Sequence, residues 1–513
     1  MRRVVSRAAA VLCAAAALLT PDLAHAVSPA SPRSAPAVKR PARKKHVAAT
    51  PAPPPQTTTT KDEQPPMPSE PQPAVIETVA APPSAESTPA PAEAAAAEAA
   101  PAEKKLEVGG RLFTYIRAPF AIDKPLQQLS SSLWIDARAR MSTATFAAVS
   151  VVGDLMTPSV EGKVEARARL REAYAGVHTE GFEARVGHQI HAWGNADGLH
   201  AVDFLTAQDY SFYSVSADAR QIGAPSLALS YSPDDGTSPL KLTAVWQPVF
   251  PASKVFVPKS NVPAQAVVLE EDRPQLSLGN SEVAAKISWA PGGWDVSLIG
   301  FHGFNHLSEA YLKSVDTNAN VAQVGRNFHE INALGVQASV ALDAWVLRLE
   351  AAYVVTENPN GRGNRFVQPS HGDVIVGVER PLGERVRLGV QGLCRFHPYY
   401  LSLRAPFSGP AELQVVNRAI ATTNARLLNY TDQVRPGASV AVAYTSEDES
   451  LELSVAALAY FVGADFVVQP MIGYRLFDAL KVDIGAQVFG GEESSLGFLA
   501  SQNGVFAQAT YTF

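Results

Sequence analysis

The stretch Asn503–Phe513 reads N-G-V-F-A-Q-A-T-Y-T-F. Counting back in twos gives Tyr511, Ala509, Ala507 and Val505 on one parity. Thr512, Thr510 and Gln508 share the other, with Phe506 the one apolar exception. This is the period-2 alternation of a strand with one apolar and one polar face. A membrane barrel needs that pattern, because lipid-facing and lumen-facing residues alternate. An ordinary amphipathic strand shows it too, so the rest of the chain decides.

The same texture recurs upstream. Candidate strands fall at 107–118, 131–141, 144–154, 165–179, 181–190, 221–232, 240–248, 281–290 and 294–302. They continue at 331–342, 344–356, 372–380, 385–396, 435–445, 450–461, 463–476, 480–490 and 503–513. No apolar run reaches the 18 residues a spanning helix requires, and no sustained 3.6-residue period is legible. With the first strand running outward, the inner connections are short and rich in Pro, Gly, Asp or Ser, and the outer ones are mostly long, as in an outer-membrane barrel. Val462 is the one tight outer link. The fold expected is therefore all-β: a transmembrane antiparallel barrel of about 18 strands, with 16 as the alternative, over residues 106–513.

The terminal aromatics resemble the C-terminal recognition signal of bacterial outer-membrane barrel proteins. That resemblance makes Tyr511 and Phe513 an assembly signal read by the barrel-assembly machinery, and the last strand the one that closes on the first.

The amino end fits export. Arg2, Arg3 and Arg7 precede an apolar run from Ala8 to Leu19, followed by Ala24-His25-Ala26, the three regions of a secretory signal peptide cleaved after residue 26. Residues 27–105 are dominated by Ala, Pro, Thr, Ser and Glu. Such a stretch cannot bury enough apolar surface to offset its ordering entropy, so it reads as a disordered periplasmic linker. Its basic patch, Lys39 to Lys45, reads first as solvated chain and second as a docking arm. Cys394 is then the only cysteine of the mature chain, which excludes an intrachain disulfide.

Charge assigns the faces. In 385–396, Val386, Leu388, Val390, Gly392 and Cys394 share one parity, while Arg387, Gln391 and Arg395 share the other. In 344–356, Trp345, Leu347, Leu349, Ala351 and Tyr353 oppose Arg348 and Glu350. A mid-depth Arg on the lipid side costs roughly 2–4 kcal/mol, so Arg348, Glu350, Arg387, Gln391 and Arg395 are expected on the lumen wall. A barrel of this size leaves an aqueous channel unless plugged. The whole chain carries a formal net charge of −6, which does not suggest nucleic-acid binding.

Residues 171–210 carry a further resemblance. Arg171-Glu172-Ala173-Tyr174, then Arg185, Gly187 and Gln189, then Trp193-Gly194, Asp197, Asp203, Leu205 and Asp209 resemble the pattern of a poorly characterised family of porin-like outer-membrane proteins of Gram-negative bacteria. Trp246-Gln247-Pro248-Val249-Phe250-Pro251 echoes a second motif of that family. Where the family carries a basic residue, His188 stands here. Where it places prolines before the later aspartates, this chain has His200-Ala201 and Ala207-Gln208, which implies a less rigid loop. In general porins the third loop folds into the lumen. Here that is 191–220, with His191, Trp193, Asp197, His200, Asp203, Asp209 and Tyr210 as constriction candidates. Its aspartates would set a cation bias. Alternatively, they pin the loop through Asx turns. His188, His191, His200 and Asp203 invite a metal reading, but a spacing of three on one strand puts His188 and His191 on opposite faces, so no metal is expected.

The function expected is passive diffusion of small hydrophilic solutes or ions, with no cofactor. Membrane lipid and the assembly machinery are the partners expected, and a homo-oligomer is compatible with the chain. A structural or secretion-associated barrel that docks through its linker is the alternative. A barrel enzyme ranks below it, since neither G-x-S-x-G nor H-E-x-x-H occurs.

Overall fold

The structure is a computed structural model and describes residues 106–120, 126–157, 164–212, 216–233, 238–255, 266–316, 321–407, 411–491 and 495–513. The expected signal peptide and linker, residues 1–105, lie outside the described residues, as does Tyr213 of the 191–220 loop.

Eighteen strands form one antiparallel ring. They are β1 (Leu106–Pro119), β2 (Gln128–Arg140), β3 (Thr145–Thr157), β4 (Glu165–Thr179), β5 (Phe182–Gln189) and β6 (Ala224–Tyr231). Then come β7 (Leu240–Gln247), β8 (Glu282–Trp289), β9 (Trp294–Phe304), β10 (Glu330–Leu342), β11 (Trp345–Thr356) and β12 (His371–Leu382). The ring continues with β13 (Val386–Phe396), β14 (Val434–Thr445), β15 (Leu451–Tyr460), β16 (Asp465–Phe477), β17 (Leu480–Gly490) and β18 (Gly504–Thr512). Each pairs with its sequence neighbour, and β1 closes on β18 with Arg111 opposite Thr512 and Pro119 opposite Gly504. Gly110 and Phe513 exchange two backbone hydrogen bonds of 2.9 Å, so the terminal aromatic seals the seam. Closure leaves no strand edge, which is what lets a sheet cross lipid with every backbone polar group satisfied.

The burial pattern is inverted relative to a water-soluble barrel. On β11, Trp345, Leu347, Leu349, Tyr353 and Val355 are exposed, while Glu350, Ala352 and Val354 are buried. Exposed aromatics mark both rims: Trp289, Trp294, Trp345 and Tyr511 at the inner end, Trp246, Tyr353 and Phe466 at the outer. Trp345 and Tyr353 are eight residues apart, roughly 20 Å along the axis at a tilt of roughly 40°. An apolar band of about 25 Å between aromatic girdles is the outer surface of a membrane barrel. Phe506, the apolar intruder of the last strand, turns inward and stacks on Tyr115 of β1, ring centroids 5.8 Å apart.

Two features of the outer connections are absent from the sequence reading. Residues 411–427, expected to be loop because no helical period was legible, form a helix, α1 (Ala411–Leu427). Its buried anchor is Asn424, whose side chain accepts from Ala310 N at 2.9 Å and donates to Ala310 O and Phe366 O at 2.8 Å. It sits among the buried Ile420, Ala421 and Ala425, while the apolar Val415 is exposed, so the apolar period is blurred. Residues 266–272, 309–316 and 321–327 make a separate three-stranded sheet. Gln368 N donates to Glu309 Oε1 at 2.9 Å, and Gln368 Nε2 to Leu428 O at 3.1 Å, so three outer loops form one cap.

Candidate functional site

The loop after β5 enters the lumen because its base is tied and its tip is caught. At the base, the Gln189 amide donates to Ser226 O and Oγ, both at 3.0 Å, and His191 Nε2 meets Ser226 Oγ at 2.9 Å. Thr206 Oγ1 donates to His191 O at 3.0 Å and to Asp203 Oδ1 at 2.9 Å, drawing the two limbs together. At the tip, the buried Glu350 carboxylate of β11 accepts from Asn195 N at 2.5 Å, Ala196 N at 2.7 Å and Ala201 N at 2.7 Å. His200 Nδ1 lies 3.3 Å away. Gly194 makes the approach (φ +132°): a Cβ there would lie 2.3 Å from His200 Nδ1 and 2.9 Å from Glu350 Oε1. Asp197 pairs with Arg348 at 3.1 Å, and Arg348 with Glu379 at 2.7 Å.

Apolar packing seats the same limb. Trp193, Ala196, Ala201, Val202 and Leu205 are buried with Val245, Ile299, Phe301, Ile331 and Val354, all from the barrel wall. Phe204 stacks on Phe301 at 5.7 Å. A Cβ on Gly335 of β10 would lie 2.7 Å from Val202 Cγ1. The lumen is therefore not uniformly wet; at loop height, much of it is an apolar core.

The returning limb pairs first beside β6 and β7 and then reaches β1–β3, half a ring from β11. Ala207–Tyr210 pairs antiparallel with Gln221–Ile222 and parallel with Lys254–Val255. Asp209 is buried there, accepting from Ser211 and facing Lys254 Nζ at 3.2 Å, while Tyr210 at the strand end is exposed. Asp218 pairs with Arg111 of β1. Phe212 packs with Phe113, Trp134, Val152 and Met156 of β1–β3, and the Arg111 guanidinium sits 3.8 Å over the Trp134 ring. The loop thus touches β11 with one limb and β1–β3 with the other, and spans the lumen.

Pairing neutralises most of its charge. Asp209 and Asp218 have basic partners. Burial pushes the Asp203 carboxyl up to about 6 against the pull of His200 and the Thr206 hydroxyl. Burial pushes the His191 ring down to about 4, with Arg185 adding to it. For His200, burial opposes charging, yet the Glu350 carboxylate and then Asp203 and Asp197 leave the ring raised. His306 is the parallel case: burial opposes, and Glu282, 3.1 Å from Nε2, overrides it. Among the four loop aspartates, only Asp197 keeps a half-exposed side chain.

The other wall residues are distributed. Arg387 is exposed and pairs with Glu379 at 3.4 Å, Gln391 is buried and accepts from Ser439 at 3.2 Å, and Arg395 donates two hydrogen bonds to the Asp373 carboxylate, at 2.7 and 2.8 Å. Arg395 also donates to Leu428 O at 2.7 Å, linking wall to cap. His188 lies on β5, whereas His191 belongs to the loop. Among the described residues, no group of three or more His, Cys, Asp or Glu is placed to hold a metal. Cys394 is buried.

A second inward anchor lies outside the residues that the sequence singles out. Asp465 of β16 accepts from Leu496 N at 2.8 Å, Gly497 N at 3.0 Å and Arg435 Nη2 at 2.8 Å. Leu496 and Leu499 then pack against the lumen core. Both Asp465 and Arg435 head strands that enter from the outer side, and an inward acid beside a loop is the signal that could have flagged them.

No family model matches the chain, and no curated protein matches it. Among solved structures, a loop-deletion mutant of OmpT, an outer membrane protein of Vibrio cholerae, is 10% identical, with TM-score 0.36, covering 80% of this chain and 99% of its own. A mutant of Rh. blastica porin is 11% identical, with TM-score 0.36 and coverages of 80% and 100%. Another mutant of that porin is 12% identical with the same TM-score and coverages. Superpositions this loose assign no residue a role, and the family resemblance of residues 171–210 rests on those residues alone.

Proposed function

We propose that the chain is an outer-membrane channel for passive diffusion of small hydrophilic solutes, with its width set where residues 191–220 span the barrel. One observation carries this reading. A closed ring of 18 strands with an apolar belt outside is crossed inside by a loop held at both walls. The expected assay is swelling of liposomes containing the full mature chain. Swelling should fall steeply with the size of a neutral sugar, and no swelling with any solute would contradict the reading. Because the inward charges are largely paired, ion selectivity is expected to be weak rather than cation-biased.

The loop should also loosen as pH rises. His200 on the loop is raised above 6.5 by Glu350, and His306, which faces Asp203 and the Thr206 main chain of the same loop, is raised by Glu282, once burial is overcome. Their contribution to docking is therefore full below 6.5 and is lost as pH climbs through the raised values. Asp203, raised to about 6, works in the same direction between 3.8 and 6. His191, lowered to about 4, opposes it by weakening docking as pH falls from 6.5. Conductance should thus change little between pH 4 and 6.5 and rise, with more open-state noise, from 6.5 upward. A profile that falls over the upper range would contradict this assignment.

A further inference from the structure

We propose that the Gly194–Ala201 segment is a carboxylate receptor and that Glu350 is its resident occupant, so that a soluble carboxylate can fill the nest once the Glu350 side chain is gone. The inference deepens the channel reading and rests on it for its consequence, though not for its chemistry. Three main-chain N–H groups, of Asn195, Ala196 and Ala201, converge with His200 Nδ1 on the two oxygens of one carboxylate. Successive backbone N–H groups turned to one side form a nest that binds anions without regard to what carries them. Here the anion is Glu350, delivered from β11 and buried in the nest.

The receptor is built by the loop, not by the strand. Gly194 at φ +132° leaves no room for a Cβ, which would strike both His200 and the carboxylate. Asp197, the acid within the segment, faces away and pairs with Arg348, leaving the nest to an outside carboxylate. On the wall side, Val202 against Gly335 keeps the segment in register with β10. Removing the Glu350 side chain would therefore leave three donors and an imidazole around a space the size of a carboxylate. A tethered group acts at an effective concentration in the millimolar range or above, so free carboxylate competes weakly with Glu350 in the intact protein. In its absence, the nest is free to bind a solute.

The test uses the full mature chain carrying Glu350→Ala, with Glu350→Gln beside it, in lipid at neutral pH. Two quantities are read: hydrogen exchange of the amides across 191–206, and single-channel conductance. Loss of the carboxylate should speed exchange at residues 195, 196 and 201 by roughly tenfold or more and raise conductance. Glu350→Gln, which keeps one acceptor, should fall between the two. Sodium acetate or formate at about 0.1 M should restore slow exchange to Glu350→Ala, and sodium chloride at equal ionic strength should not. Unchanged exchange in folded Glu350→Ala, or acetate acting no better than chloride, would overturn the proposal. Where exchange is rescued but neither protein conducts, the receptor stands and the channel reading fails.

Discussion

Excising residues 194–205 and bridging the gap with a short glycine link should raise single-channel conductance by roughly twofold to fourfold. The base of the loop survives the cut, because Gln189 and His191 hold it to Ser226 of β6 and Thr206 is held to the His191 carbonyl. The returning limb survives as well, through its pairing with Lys254–Val255 and its packing against Trp134. What is lost is the limb docked on β10 and β11. The barrel should remain folded, since every ring pairing lies outside the excised residues. It should be less stable, because Val245, Ile299, Phe301 and Val354 lose their cover. The cut also leaves Glu350 with no donor, so that the site becomes wetter and wider together. Unchanged conductance would mean that the narrowest point lies elsewhere.

The second large effect concerns the other inward loop. Asp465→Ala should lower unfolding stability by about 3–5 kcal/mol, the cost of leaving a buried ion pair half broken. Arg435 and Asp465 are 1% and 0% exposed, so water cannot readily take over. Two further donors, Leu496 N and Gly497 N, lose their acceptor in the same step. The remaining partners of Arg435, Thr431 and the more exposed Asp432, place the effect toward the lower end of that range. Urea unfolding in liposomes measures it. Replacing both members by apolar residues of similar volume should cost much less than Asp465→Ala alone, as expected when the penalty is an orphaned charge rather than a lost attraction. A loss below about 1 kcal/mol for Asp465→Ala would remove Asp465 as an anchor.

What the sequence revealed and concealed has a common physical basis. The ring was legible because each wall strand must present one face to an apolar surround, and period 2 survives even with Phe506 as an intruder. The span Glu165–Thr179 and the span Leu480–Gly490 coincide with strands β4 and β17 to the residue. The loops carry no such constraint. α1 reads as loop because its buried side is small and mixed, Ile420, Ala421, Asn424 and Ala425, while the apolar Val415 is exposed, so no apolar stripe stands out. The catch at Glu350 was illegible for another reason. Its partners are main-chain N–H groups about 150 residues away, and main-chain groups leave no trace in residue identity. The cation bias expected from the loop aspartates did not anticipate pairing with Arg111 and Lys254, which only the returning limb brings into reach.

A disulfide between the loop and the wall tests the spanning loop most directly. The Cβ of a residue at 335 would lie 3.5 Å from Val202 Cβ, inside the range that a disulfide needs. Val202→Cys with Gly335→Cys, in a Cys394→Ser background and the full mature chain, should cross-link in the assembled barrel. It should conduct at the same low level before and after reduction, because the bond holds the loop where it already rests. Failure to cross-link under oxidising conditions, or a linked barrel whose conductance changes severalfold on reduction, would show that the loop does not rest across the lumen.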